Sequence, residues 1–388
     1  MMEFITTRGR EGAPKSDFDV KAFVAGGRCL ITPDQIPPEY QKQVILAVIE
    51  TGDRGCLELS LGRFDVLDEE IAARLNEKGF ADLFIRRADK FHGFDIGEFA
   101  LSLIERGQAE NLFKYFRIFC SHHGEKILAR LVARGLGEKI VNLKFNYEGF
   151  DHSVFADELM NENQFVFLTL IVSKLRNLNR NIALRLIDNH YLSFVQHLDS
   201  FTGLDKEIAM RLIVAGKAWN VFKKIESFAG VDNEVLLELA RRGCGWWIYH
   251  KIENYSGITR ENVIEKMIEG GDCERICKVR GFEELDHARI AEKLIATGNG
   301  ELLLKNFGIF KGLDQKNIAI KLIESGAGNL ILLYPDCFSE IDAEILQKMI
   351  DAGLGKGVAY QYYRFVKIDP NLREKLLKAG VREMKLRP

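Results

Sequence analysis

The sequence predicts an all-α fold, an α-solenoid of about 13 helix-turn-helix repeats of 26–28 residues forming a curved superhelical rod. Three periodic columns predict it. The strings LIERG, LVARG, LIVAG, LARRG, MIEGG, LIATG, LIESG, MIDAG and LLKAG share one frame that ends on glycine. The frame runs through Gly26, Gly52, Gly79, Gly107, Gly135, Gly216, Gly243, Gly271, Gly298, Gly326, Gly353 and Gly380, with Asn163 and His190 at the two intervening places. Fifteen or sixteen residues before each marker from Gly79 on stands a second column, of which eleven of twelve members are aromatic. It comprises Phe64, Phe91, Phe119, Tyr147, Leu175, Phe201, Phe228, Tyr255, Phe282, Phe310, Phe338 and Phe365. The third column is a helix-capping residue three or four places later: Asp68, Asp95, Asp151, Asn179, Asp205, Asp232, Thr259, Asp286, Asp314, Asp342 and Asp369.

Each element of the unit follows. Asp, Asn or Thr accepts a hydrogen bond from the free amides of a first helical turn, so the third column starts helices. Only the repeat that contains Gly124 lacks such a residue. In LDQKNIAIKLIESG the apolar residues then fall at helical spacing, and the glycine closes about three turns in the left-handed conformation that carries no Cβ penalty. A shorter helix comes next, with an apolar residue five places after every marker from Gly52 to Gly353: Leu57, Phe84, Leu112, Ile140, Leu168, Val195, Val221, Ile248, Ile276, Leu303, Ile331 and Val358. The aromatic column locks the end of the unit. Neither helix can bury its stripe alone, so neighbouring units must stack. No period-two alternation signals a strand after residue 40.

The ends differ. Residues 1–40 read as a leader and degenerate N-terminal capping half-repeat, because ITPDQIPPEY carries three prolines. Residues 41–380 are the array and 381–388 a short basic tail. Between Tyr147 and His190 the columns degenerate and QFVFLTLIV is apolar nearly all round, which calls for cover on both sides. That stretch is expected to be a bend, with a self-association surface as the other reading.

The unit, roughly GxGxxL…FxGLDxExAxxLIxxG, resembles helical repeats of uncharacterised bacterial proteins over residues 40–380. The turn in LIESGAGNLI also resembles that of transcription-activator-like effector repeats, which read DNA one base per repeat, although these units are shorter. The resemblance implies an interaction protein.

Composition excludes several classes. Lys and Arg number 54 against 56 Asp and Glu, so no global positive field recruits nucleic acid or a membrane. No apolar stretch is long enough to cross a bilayer. The N-terminus MMEFITTRGREG lacks a signal-peptide core, and seven cysteines form no regular framework, so a cytoplasmic protein with free thiols is expected. Walker, GxSxG and HExxH signatures are missing, and with no departure from the repeat that could gather carboxylates and a histidine, no catalytic residue and no cofactor is assigned. Cys120, His122 and His123 cluster in CSHH, and Cys273 and Cys277 in CERIC, but neither group has a partner motif to complete a tetrahedral site; no metal is assigned.

Seven places after the markers stand Arg86, Lys114, His197, Lys223, His250, Lys278 and Lys305, on the solvent side of the short helix. Asp82, Glu110, Glu274 and Glu301 precede four of them by four residues, the spacing of an intrahelical ion pair. Two repeats break the pairing with tryptophan: Trp219 in one, Trp246 and Trp247 in the next. Together with Lys223, Lys224, His250 and Lys251 they form the candidate binding site, an aromatic and basic patch without acidic neighbours whose rings should lie about 10 Å apart. Such a patch suits a peptide hot spot or base stacking, and the rings could also simply fill inter-repeat grooves. The expected function is a non-enzymatic scaffold for a protein or peptide partner, with single-stranded RNA or DNA as the alternative ligand.

Overall fold

A computed structural model describes residues 18–27, 29–142, 149–338, 341–361 and the isolated positions 374, 377 and 378. Tyr147, Phe365, Asp369, Gly380, most of the leader and the basic tail lie outside the described residues. Among those described the protein is all-helical, without a strand. No described helix is long and apolar enough to cross a membrane. The chain divides into two compact units, Met1–Ile182 and Ala183–Pro388.

The three columns fold as their chemistry dictates. All ten described capping residues from Asp68 to Asp342 accept backbone N–H groups; Asp314 accepts from Asn317 at 3.1 Å and Thr259 from Asn262 at 3.2 Å. Every marker from Gly52 to Gly353 has positive φ, from 57° at Asn163 to 95° at Gly243. The reversal closes the helix through a bond from the following residue: Ala327 N–H donates to the Leu322 carbonyl at 2.8 Å and Asn299 N–H to Leu294 at 2.7 Å. Gly26 departs from the frame: its φ is −68°, and the left-handed residue is Gly27. In the uncapped repeat His123 (φ 56°) precedes helix Gly124–Leu131 and pairs with Asp95 instead.

The twelve position-five residues are all buried, and so are eight aromatics of the lock column and Leu175; Tyr255 is half-buried. After the short helix the sequence reading shows no further element, yet the structure inserts a 3₁₀ turn there. Ile225–Ser227 follows helix Ala218–Lys223, and Ile252–Asn254 follows Gly245–His250. Within each unit consecutive long helices pack on one another. In the first, Ile96–Glu105 meets Gly124–Leu131, which meets His152–Asn161. In the second, Asn233–Leu239 packs on Arg260–Glu269, followed by His287–Ala296, Gln315–Glu324 and Ala343–Met349. Approach is close enough that a Cβ on Gly300 would stand 2.7 Å from Leu322 Cδ2, which explains glycine two places after that marker.

Polar contacts between consecutive repeats recur at fixed offsets. Lys42, Lys206 and Lys316 each bridge two carboxylates of the following repeat, 26 and 28 residues on: Asp68 and Glu70, Asp232 and Glu234, Asp342 and Glu344, at 2.5–2.8 Å. The amide after the aromatic lock is satisfied in two ways. His92 and Ala229 donate to the Leu67 and Leu204 carbonyls at 3.0 and 2.8 Å. Arg176 and Lys311 donate instead to Nδ1 of His152 and His287, at 2.9 and 2.6 Å.

Two expectations are corrected. Of the four intrahelical pairs, Asp82–Arg86 and Glu301–Lys305 form, at 3.1 and 3.0 Å, whereas Glu110 pairs with Lys139 of the next repeat at 2.6 Å. Helix Phe165–Ile171 is covered on one side only: Phe165, Phe167, Leu168 and Ile171 are buried, while Val166 and Leu170 are 61% and 66% exposed.

Two outcomes are expected. Phe310→Ala, which empties a buried lock position, lowers stability by about 3–5 kcal/mol, and Lys305→Ala, which removes one exposed pair, lowers it far less; urea denaturation midpoints check the order. The lysine bridges hold the carboxyls of Asp232 and Asp342 below their usual 3.8. Their stabilisation is therefore complete above that value and disappears as pH falls through the lowered one. Acid unfolding followed by circular dichroism should therefore show a shallower limb in the Asp232→Asn, Asp342→Asn double variant than in the original protein.

Candidate functional site

The candidate site lies entirely in the second unit. Helix Ala218–Lys223 buries Val221 and Phe222, which leaves Trp219 and Lys223 on the outer side, three and seven places after Gly216. Helix Gly245–His250 buries Gly245, Ile248 and Tyr249, so Trp246 and Trp247 stand half-buried at its flank. The one-residue difference in register between Trp219 and Trp247 brings their rings together.

Their centroids are 4.5 Å apart with planes at 49°, far closer than the helix spacing of about 10 Å suggests. Indoles project from their helices into the groove between them, so ring separation is shorter than axis separation. Trp219 also stacks on Phe222 at 5.7 Å and 24°. Lys223 Nζ sits 5.2 Å from the Trp219 ring centre, and Arg275 of the following repeat sits 5.4 Å from that of Trp247. Lys223, Trp219, Trp247 and Arg275 thus form one cation–ring–ring–cation line across three consecutive repeats. Arg275 reaches back to Asp272 at 3.6 Å, and burial pushes the Asp272 carboxyl up from its ordinary value.

An open groove of about 870 Å³ runs beside this line. Trp219, Phe222, Lys223, Lys224, Trp247 and Lys251 line it with Ile225, Asn254, Tyr255, Ser227, Asp199 and Glu226. Trp219 keeps 40% of its surface exposed. Five of the seven candidate residues therefore share one surface: Trp219, Lys223, Lys224, Trp247 and Lys251. Trp246 and His250 do not line it. Their rings pair with each other at 4.2 Å, and His250 Nδ1 donates to the Trp246 carbonyl at 2.7 Å.

The expectation of a patch without acidic neighbours is corrected: Lys224 is bound to Asp199 at 2.7 Å, and Glu226 shares the groove. Both carboxylates lie in the lock segment, outside the short helices where the ladder is read. Lys223 and Lys251 form no ion pair with any described residue. Burial, and then Glu226, push the Tyr255 phenol up. Arg275 and Tyr255 were also missed. Tyr255 belongs to the aromatic lock, and Arg275 occupies the same place after Gly271 as Trp247 after Gly243, a register signal present in the sequence.

The cysteine and histidine clusters converge on no metal-binding group among the described residues. Cys244 and Cys273 are buried, which pushes both thiols up to about 11, so they behave as small core residues. His123 faces Asp95 at 3.1 Å, in the first unit.

Comparison of the chain with protein-family models, curated proteins and solved structures finds no significant match. The geometry of the groove therefore carries the functional reading.

The two indoles should be energetically coupled. A double-mutant cycle over Trp219→Ala and Trp247→Ala, read from denaturation midpoints, should return about 0.5–1.5 kcal/mol of coupling; additivity would mean the rings are independent.

Proposed function

We propose that the protein is a non-enzymatic binding scaffold, its repeats stacked as an α-solenoid, that engages a protein or peptide partner through the groove of its second unit. The observation that carries this is the pair of touching, part-exposed indoles set in a groove whose charges are of both signs. Aromatic residues at the centre of a surface with a polar rim are the usual anchors of protein interfaces. The seven free thiols suit a cytoplasmic setting.

Single-stranded RNA or DNA is the second reading, favoured by the unpaired Lys223 and Lys251 beside the indoles. Two features weigh against it. Trp219 already has Phe222 and Lys223 against its ring and Trp247 has Arg275, so these surfaces are partly taken for base stacking. Asp199 and Glu226 also interrupt the lysines, so the groove offers isolated cations and no continuous basic track for a phosphate backbone.

A random dodecapeptide phage library selected on the full chain tests the proposal, with labelled random single-stranded RNA and DNA titrated in parallel. Selected clones should bind Trp219→Ala and Trp247→Ala at least about 30-fold more weakly than the original protein, the size of an interface hot spot. Oligonucleotide binding that falls steeply with salt, without peptide enrichment, would establish the second reading instead.

A further inference from the structure

The groove has a charge asymmetry that runs against the chain as a whole. The protein carries a net charge of −2, yet three lysines and two carboxylates line this surface. One of those lysines is already spent, since Lys224 binds Asp199 at 2.7 Å. Lys223 and Lys251 remain, both exposed, with Glu226 as the only other charge on the groove wall. Lys223 stands at one end of the indole line, and Arg275 closes the other end with part of its charge directed to Asp272. The apolar surface thus sits between cations, and the uncommitted positive charge exceeds the uncommitted negative charge.

We infer that this groove takes an acidic peptide segment, one whose aliphatic or aromatic side chain lies on Trp219 and Trp247 while flanking Asp or Glu side chains meet Lys223 and Lys251. The inference rests on the scaffold reading and narrows its partner to one chemistry. An apolar anchor covers the exposed part of the Trp219 ring and removes water around the lysines, which strengthens their attraction for carboxylates. Flanking carboxylates select against neutral and basic peptides and raise the rate of encounter. A neutral apolar peptide would cover the rings while leaving Lys223 and Lys251 without counter-charge. A basic peptide would bring its cations against Lys223, Lys251 and Arg275, with Glu226 and the Asp199 already bound to Lys224 to receive them.

Two synthetic dodecapeptide pools test this on the full chain. The variable positions of the first are drawn from Asp, Glu, Leu, Phe and Ser; the second is identical except that Asn and Gln replace Asp and Glu. Tryptophan emission reads binding, since the chain has 3 Trp and all lie in these two short helices, and calorimetry supplies a readout for the Trp variants. The acidic pool should bind about tenfold or more tightly than the amide pool, and weaken as salt rises. Lys223→Gln with Lys251→Gln alters only exposed side chains and should abolish the difference between pools, whereas Trp219→Ala should weaken both. Equal binding of the two pools would overturn the acidic preference and leave the peptide scaffold standing. Binding of neither pool, or binding that ignores Trp219→Ala, would overturn both.

Discussion

Among the described residues, each long helix from Gln41 on ends on a residue in the left-handed region, and the rest of the repeat depends on that reversal. Positive φ at Gly79, Gly298 or Gly326 lets the next amide bond back across the helix end. The chain then returns over the helix it has just finished, and the residue five places on is buried against it. Asn163 and His190 accept the same conformation with a side chain, and Asn is the commonest non-glycine solution. Where the reversal is displaced, as from Gly26 to Gly27, the neighbouring helix Val20–Ala25 has no buried residue.

Once the reversal is set, neighbouring repeats are joined by devices that reuse the period. Lys42, Lys206 and Lys316 reach the capping carboxylate and the second helical carboxylate of the next repeat, so one residue serves both cap and bridge. The amide that follows the lock must be paired, because an orphaned amide is costly. A carbonyl does this from Leu67 and Leu204, and an imidazole does it from His152 and His287. His287 is buried and stacked on Phe282 at 4.8 Å, so it belongs to the packing of the repeat. Exposed bridges of this kind contribute little singly; their value is in register, since a slip by one residue breaks all of them together.

The candidate site grows from the same repeats by substitution at exposed places. Where other repeats carry Asp82 or Glu301 to neutralise the residue four places on, Trp219 leaves Lys223 to lie over its own ring. The short helices need only their inner face for packing, so their outer residues are free to form a surface. The sequence reading placed the tryptophans and lysines on that side from helical spacing alone. Trp246 and His250, expected in the same aromatic and basic patch, fall outside the groove because a shift of one residue from Trp247 and Lys251 turns a side chain by about 100°. Asp199 and Glu226 were missed because they lie in lock segments, where no helical period predicts direction.

Much that is local and repeated was determined by sequence: the capping residues, the left-handed closures from Gly52 to Gly353, the buried fifth position and the aromatic lock, though not the 3₁₀ turn after the short helix. These depend on hydrogen bonds and steric limits within a few residues, and they repeat often enough to be legible against noise. What only the tertiary structure decided depends on distance between repeats. It brought Trp219 within 4.5 Å of Trp247, set Arg275 over the second ring, bound Lys224 to Asp199 and sent Glu110 to Lys139 instead of its own helix. Side chains 25 to 29 residues apart meet according to helix separation and rotamer, and those follow from packing. The period supplies candidates for such contacts, and close packing chooses among them.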